Sequence, residues 1–254
     1  MRSAGRPAFR LTMTARLGSA LLLATLPASA GAGLQSAIDP HSPTASEIDA
    51  IGWLLYWGAA VIFVLVMALT VYSMSGSERA GRLLGHRRAV LIGGLAFPVV
   101  LLSALLVYTL RIAGDIVTPS EPPALRIEVV GEKFWWRVNY LTEAGHVDVA
   151  TANEIHLPAG RLVEFRLRTA DVIHSFWLPN LAGKVDMIPG RITTLRIRPD
   201  RPGLWRGQCA EYCGAQHANM AFLAVVETPE DFDAWLTAQR QPARPPAAYS
   251  ENRR

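Results

Sequence analysis

Two stretches of the chain carry no charge at all, Ile51 to Tyr72 and Ala89 to Leu110. As helices rising 1.5 Å per residue, each would cross the roughly 30 Å hydrocarbon core of a bilayer. A buried helix of a large soluble protein gives the same signal. Two such runs joined by a basic hinge favour a transmembrane hairpin, with helices over 51–72 and 89–110. Pro98 predicts a kink in the second, where neighbouring helices commonly satisfy the carbonyl that a proline frees. Beyond residue 124 the period changes to two. Leu125-Arg-Ile-Glu-Val-Val130, Leu162-Val-Glu-Phe-Arg-Leu-Arg168 and Thr193-Thr-Leu-Arg-Ile-Arg198 alternate apolar and polar, which predicts half-buried strands. Turn clusters at 157–160 and 199–203 separate them, and Phe222 to Val226 reads as a last strand. Pro229 to Gln239 predicts a short helix, with Thr228 as N-cap and Glu230 and Asp231 in its first turn. Many short antiparallel strands with no crossover helices predict a sandwich or barrel.

The ends and the hinge complete the division. Arg2, Arg6, Arg10 and Arg16 precede the apolar run Leu17 to Leu26 and then Ala28-Ser-Ala30. A basic region, a short apolar region and a small-residue cleavage site predict a signal peptide over 1–30 rather than a third anchor. A polar lead-in over 31–50 follows. Residues 73–88 carry Arg79, Arg82, Arg87 and Arg88 against Glu78, so the positive-inside rule puts this loop in the cytoplasm and both mature termini in the periplasm. A proline-containing linker, 111–124, leads to a periplasmic domain over 125–239. The remainder, 240–254, reads as a disordered tail.

Charge refines the picture. The whole chain is formally +4, but from Glu121 to Asp233 fifteen Asp and Glu face twelve Lys and Arg. The extracytoplasmic domain is therefore mildly acidic and suited to a basic protein partner. No basic patch interleaved with stacking aromatics points to nucleic acid.

The chemistry is concentrated near the C-terminus. Cys209 and Cys213 are the only cysteines, and His217 and Met220 follow at short spacing. A further histidine, His174, stands in Asp171-Val-Ile-His174-Ser-Phe-Trp-Leu-Pro179. Thiolate, imidazole and thioether favour copper, and two cysteines that can bridge point to a dinuclear centre. A disulfide is the alternative that an oxidising compartment supports. Zinc would suit two Cys and two His, but Met marks copper. His41, His86, His146 and His156 lack ligand context and read as surface or structural histidines.

The run His174-Ser-Phe-Trp, the stretch Asp186-Met-Ile-Pro-Gly190-Arg191 and the segment Arg201 to Met220 with its C-x3-C-x3-H-x2-M motif closely resemble subunit II of cytochrome c oxidase. The resemblance covers almost everything after residue 45. Nitrous oxide reductase carries a similar copper motif on a much larger soluble chain. The resemblance implies a cupredoxin-like Greek-key barrel on a two-helix anchor in a bacterial inner membrane. It implies a copper A centre of two copper ions: Cys209 and Cys213 bridge, His174 and Met220 complete one copper, and His217 and the backbone carbonyl of Glu211 complete the other. It also implies that the Glu211 carboxylate reaches a magnesium ion at the border with subunit I. Electrons would come from cytochrome c, pass to haem in subunit I, and serve oxygen reduction coupled to proton pumping alongside the other oxidase subunits.

The chain departs from the family's pattern in two places, one in the β-domain and one in the second span. Where many members have Trp-Tyr-Trp over the copper, this chain has Phe134-Trp135-Trp136. That cluster as a whole is assigned to electron uptake, with Trp135 able to replace the first ring. Where many members carry a glutamate at the cytoplasmic end of the second span, Leu91 stands here, which puts proton delivery by that route in doubt. Two rivals fare worse. A quinol-oxidase subunit of this fold would lack the copper ligands. A copper-delivery protein would favour exposed, exchangeable sites over a mixed six-ligand centre.

Overall fold

The apolar runs fold as helices whose most apolar stretches stay uncovered among the described residues. In the computed structural model, which describes residues 33–117 and 121–241, α1 spans Pro43–Met74. It starts earlier than the uncharged run because its cap lies upstream. Ser42 accepts a hydrogen bond from the Ala45 amide, and Pro43 occupies the first turn, where no amide is needed. Two short helices follow, α2 at Glu78–Leu84 and α3 at Arg87–Leu91. The chain then passes through a π-helical turn, Ile92–Ala96, into α4, Phe97–Val117. Pro98 lies just after the π turn, where a widened turn takes up the carbonyl that proline cannot serve. The helix therefore runs seven residues beyond Leu110, into the segment expected to be linker. The most apolar 18-residue stretches within Pro43–Met74 and Arg87–Gly114 have mean hydropathies of 2.4 and 2.6, and neither stretch is buried. Both are long and apolar enough to cross a membrane. The signal-peptide expectation for 1–30, and the tail expectation beyond Gln241, lie outside the described residues.

The β-domain is built from ten strands: β1 Leu125–Glu132, β2 Trp135–Leu141, β3 Val147–Ala152, β4 Glu154–Pro158, β5 Val163–Thr169, β6 His174–Trp177, β7 Val185–Met187, β8 Thr193–Ile197, β9 Gly203–Cys209 and β10 Ala221–Glu227. They form two five-stranded sheets, ordered β3-β2-β1-β5-β8 and β4-β10-β9-β6-β7. The expected all-β sandwich is borne out. Alternation decides which face is buried. Ile127 and Val129 point inward from β1, and Val163, Phe165 and Leu167 from β5, while Glu128 and Arg168 pair on the outer face. Between the sheets Trp136, Phe176 and Phe222 pack with ring centroids 4.7–5.9 Å apart. Each such fully buried ring contributes roughly 1.5–3 kcal/mol.

Two pairings differ from the antiparallel expectation: β1 with β5, and β4 with β10, run parallel. Parallel neighbours normally need a crossover helix. Here the chain crosses through the opposite sheet instead, by way of β4 between β1 and β5, and of β5 and β8 between β4 and β10. The last helix, α5 at Pro229–Gln239, forms as its sequence predicts, with Thr228 accepting from the Asp231 amide. It docks through Phe232 and Trp235 onto Tyr140 and His156. Arg240, expected in the tail, instead pairs with Asp148.

The lead-in is part of the domain. Leu34 accepts a hydrogen bond from the Arg206 amide of β9, at 2.6 Å, and the His41 amide donates to Asn180 at 2.7 Å. The Asn180 side chain accepts from Ser36 and donates to the Asp39 carbonyl. His41 is buried against Trp205, with ring centroids 5.0 Å apart. This strap lies beside β9, the strand that ends at Cys209.

Candidate metal centre

Strand pairing collects the donors. β9 and β10 are antiparallel neighbours, and at their end the Cys209 amide donates to the Met220 carbonyl at 2.9 Å. The intervening loop therefore leaves and returns at one point, with Cys213 and His217 on its path. β6 pairs with β9 on the other side, Phe176 opposite Cys209, which sets His174 beside the loop. The Cys209 sulfur lies 3.7 Å from His174 Nδ1, 3.9 Å from the Cys213 sulfur and 3.2 Å from the Glu211 carbonyl oxygen. The Cys213 sulfur lies 3.7 Å from both His217 Nδ1 and Met220 Sδ. All six residues named from the sequence are thus brought together. The sulfurs are far outside the roughly 2.05 Å of a disulfide, so both thiols are free and buried.

This donor set fits copper. Two sulfurs that can each touch two ions, two imidazole nitrogens, a thioether and a carbonyl surround one small volume, and soft ligands of this kind select copper over hard cations. The thiols are also primed unequally. Burial opposes ionisation of Cys209, but hydrogen bonds from His174 and from the Glu211 and Ser175 backbone outweigh it and bring the thiol down to about 6. Burial and then the neighbouring Cys209 charge push Cys213 up to about 11. A metal ion must displace the proton that Cys213 keeps.

Sequence reasoning did not assign Asp171. Its carboxylate accepts from His174 Nε2 at 2.8 Å, from the Lys133 amide at 2.8 Å and from the Val172 amide at 2.6 Å. Burial works against its charged form, yet these bonds, His174 first, hold the carboxyl below its usual range. Donating from Nε2–H to Asp171 leaves the Nδ1 lone pair of a neutral His174 ring facing the sulfurs, as metal-binding histidines are usually oriented. Burial lowers the basicity of His174, but Cys209 and Asp171 together raise it above the ordinary value.

The three aromatic residues separate by strand alternation. Trp136 is fully buried, with its ring centroid 6.1 Å from that of His174 and its indole N–H directed at the Met220 carbonyl at 3.4 Å. Phe134 packs at the loop: a Cβ on Gly214 would sit 3.1 Å from its ring. Trp135 lies on the outer face under the Arg137 guanidinium, 5.8 Å from the ring centre. Among the described residues, Trp135 makes no ring contact with Phe134 or Trp136. Tyr212, which the sequence did not single out, is 75% exposed on the loop and stands edge-on to His217 at 5.7 Å.

The Glu211 side chain is half-buried, and no second carboxylate or imidazole joins it to make a magnesium site among the described residues. His41 and His156 are buried and structural, the latter between Glu154 and Glu227 and stacked on Trp235. His86 caps the Arg88 amide, and His146 is exposed.

Residues 127–228 match the family described as "Cytochrome C oxidase subunit II, periplasmic domain". Cytochrome c oxidase subunit 2 of Alkalihalophilus pseudofirmus is 30% identical over 214 residues, covering 79% of this chain and 61% of the relative. An alternative cytochrome c oxidase subunit 2 of Bradyrhizobium diazoefficiens is 43% identical over 97 residues, covering 38% of this chain and 35% of the relative. The chain thus spans less than two thirds of the length of these relatives. A probable subunit 2 of Rickettsia bellii is 27% identical and is covered over 83% of its length. The solved periplasmic domain of subunit II of cytochrome oxidase from Bradyrhizobium japonicum overlaps with a TM-score of 0.44 and 26% identity, over 47% of this chain and 96% of that one. The matched segment contains every donor of the centre, so the part of the chain that holds the site is the part similar to that family's periplasmic domain.

Proposed function

We propose that this chain is the electron-accepting subunit of a bacterial haem-copper oxidase, anchored in the inner membrane with its β-domain in the periplasm. The observation that carries the reading is the convergence of Cys209, Cys213, His174, His217, Met220 and the Glu211 carbonyl at one end of the sandwich. Cys209 and Cys213 would bridge two copper ions, His174 and Met220 would complete one, and His217 with the Glu211 carbonyl the other. Bound copper supplies a one-electron store shared between two ions.

The protein's part is positioning. Three donors sit on or beside strand ends, and Asp171 fixes the His174 ring, so the cage is held by the sandwich rather than by a free loop. Burial of both thiols excludes water, and six protein donors leave no coordination position for a substrate. That argues for electron passage and against copper delivery, which needs accessible, exchangeable ligands. The acidic balance of the domain favours a basic donor such as cytochrome c, and the electron would continue to haem in subunit I for oxygen reduction coupled to proton pumping. Phe134 and Trp136 flank the centre and are the rings placed to contribute to electron uptake.

The test uses the full-length chain in detergent, loaded with copper. Two coppers per chain are expected, with an electron paramagnetic resonance spectrum of one unpaired electron coupled equally to two copper nuclei. A single-copper spectrum from fully loaded protein would overturn the dinuclear reading. The aromatic assignment has its own check in the assembled oxidase. Phe134→Leu is expected to slow reduction by cytochrome c at every ionic strength, whereas Trp135→Leu leaves that rate within about twofold, since surface changes away from such contacts are usually mild. The reverse ranking would return Trp135 to the uptake path.

A further inference from the structure

The loop between the two apolar helices carries a charge pattern that electron transfer does not use. Arg79, Arg82, Arg87 and Arg88 are all exposed. Arg82 lies 4.0 Å from Glu78. Arg79, Arg87 and Arg88 meet no carboxylate among the described residues. Several arginines of the β-domain are paired, by contrast: Arg161 sits on Asp233, Arg168 on Glu128 and Arg198 on Glu121.

The loop is also folded, not a slack connection. Ser77 caps α2 by accepting from the Ala80 amide at 3.0 Å. The Gly85 amide closes the α2 end onto Gly81, and the His86 ring accepts from the Arg88 amide at 3.1 Å. Its backbone needs are largely met internally, and the guanidinium groups are left facing outward.

Position along α1 sets the depth of this loop. Trp53, Tyr56 and Trp57 form an exposed aromatic group, with centroids 5.2–6.3 Å apart, of the kind that marks a membrane interface. From Trp53 to Met74 the helix rises about 32 Å, roughly one hydrocarbon thickness. The loop therefore begins where the opposite headgroups begin. Planar guanidinium groups bind phosphate oxygens through paired hydrogen bonds. Clusters of arginine beside a span attract anionic lipid.

We propose that residues 78–88 bind the headgroups of anionic phospholipids, through Arg79, Arg87 and Arg88. The proposal rests on reading α1 and the Arg87–Gly114 helix as membrane spans. The test reconstitutes the full chain into phosphatidylcholine nanodiscs containing a minor fraction of phosphatidylglycerol. Association of spin-labelled phosphatidylglycerol is compared with that of spin-labelled phosphatidylcholine.

A preference on the order of several-fold for the anionic probe is expected in the wild type, weakening with salt. It should fall to about one in Arg79→Gln/Arg87→Gln/Arg88→Gln and survive in the matching triple lysine variant, which keeps the charge. No preference in the wild type, or an undiminished preference in the glutamine variant, would overturn the proposal. So would a glutamine variant that keeps its lipid preference but loses co-purifying oxidase subunits, because the loop would then face protein. The span reading fails separately, if alkaline carbonate without detergent releases the chain from membranes.

Discussion

Cys213→Ser is expected to lose the two-copper centre while keeping the fold. The serine hydroxyl is a hard donor that stays protonated near neutral pH, so it cannot bridge two copper ions as a thiolate does. Cys213 lies in the loop between β9 and β10, and its sulfur touches Cys209, His217 and Met220 rather than supporting either sheet. Losing an outer partner of a metal site typically costs 10–100-fold in affinity. Losing a shared bridge should exceed that, by about 100-fold or more in copper retention, with stoichiometry falling from two toward one. Cys209→Ser should do the same and also disturb the end of β9, where Cys209 pairs opposite Phe176. Copper per chain after dialysis against a chelator reads the first effect, and thermal melting of the metal-free chain reads the second. If the thiols served structure alone, the order would reverse: melting would fall and copper content would not change.

Much of this site was legible because it lies in one loop. Cys209, Cys213, His217 and Met220 all fall between two strands that pair with each other, so their sequence spacing is close to their spatial spacing. His174 stands thirty-five residues upstream of Cys209, and only the likeness to a family joined it to the loop. Asp171 could have been found, since a carboxylate three residues before a candidate ligand is a common orienting partner. Its second bond, to the Lys133 amide, depends on the turn between β1 and β2 approaching the β5–β6 loop. No local pattern encodes that approach. The aromatic residues teach the opposite lesson. Strand alternation alone puts Trp135 and Trp136 on opposite faces of β2, a separation legible in the sequence.

The fold divides similarly. Hydropathy revealed the spans and the apolar run of β10, and period two revealed β1, β5 and β8, because burial on one face leaves that signature. The strap over 34–42 left none: it is held by backbone hydrogen bonds and by Asn180, which carry no hydropathic period. The parallel pairings were hidden as well, since alternation reports which face a strand buries and not which neighbour it takes.

Gly131→Ala is expected to damage the centre without touching a donor. A Cβ at Gly131 would lie 2.9 Å from His174 Cδ2, 3.0 Å from Cγ and 3.3 Å from its Cβ. Such a contact can be relieved only if the ring moves, and His174 is fully buried with its Nε2 pinned to Asp171. Overpacking of this kind typically costs about 1–3 kcal/mol, here concentrated on one ligand. The metal-free domain should melt several degrees lower, and copper loading should yield a perturbed or single-copper spectrum resembling that of His174→Ala. Gly183→Ala is the control, since its Cβ would meet only Ile48 Cδ1, at 3.4 Å. Adding Asp171→Ala to Gly131→Ala separates strain from ligation. Without the pin the ring can swing away from the new methyl group, so part of the lost stability should return. The native copper spectrum should not return, because a ring free to swing no longer presents Nδ1 to Cys209. A Gly131→Ala chain with unchanged melting and a native two-copper spectrum would mean that His174 is neither held as tightly nor needed as the geometry requires.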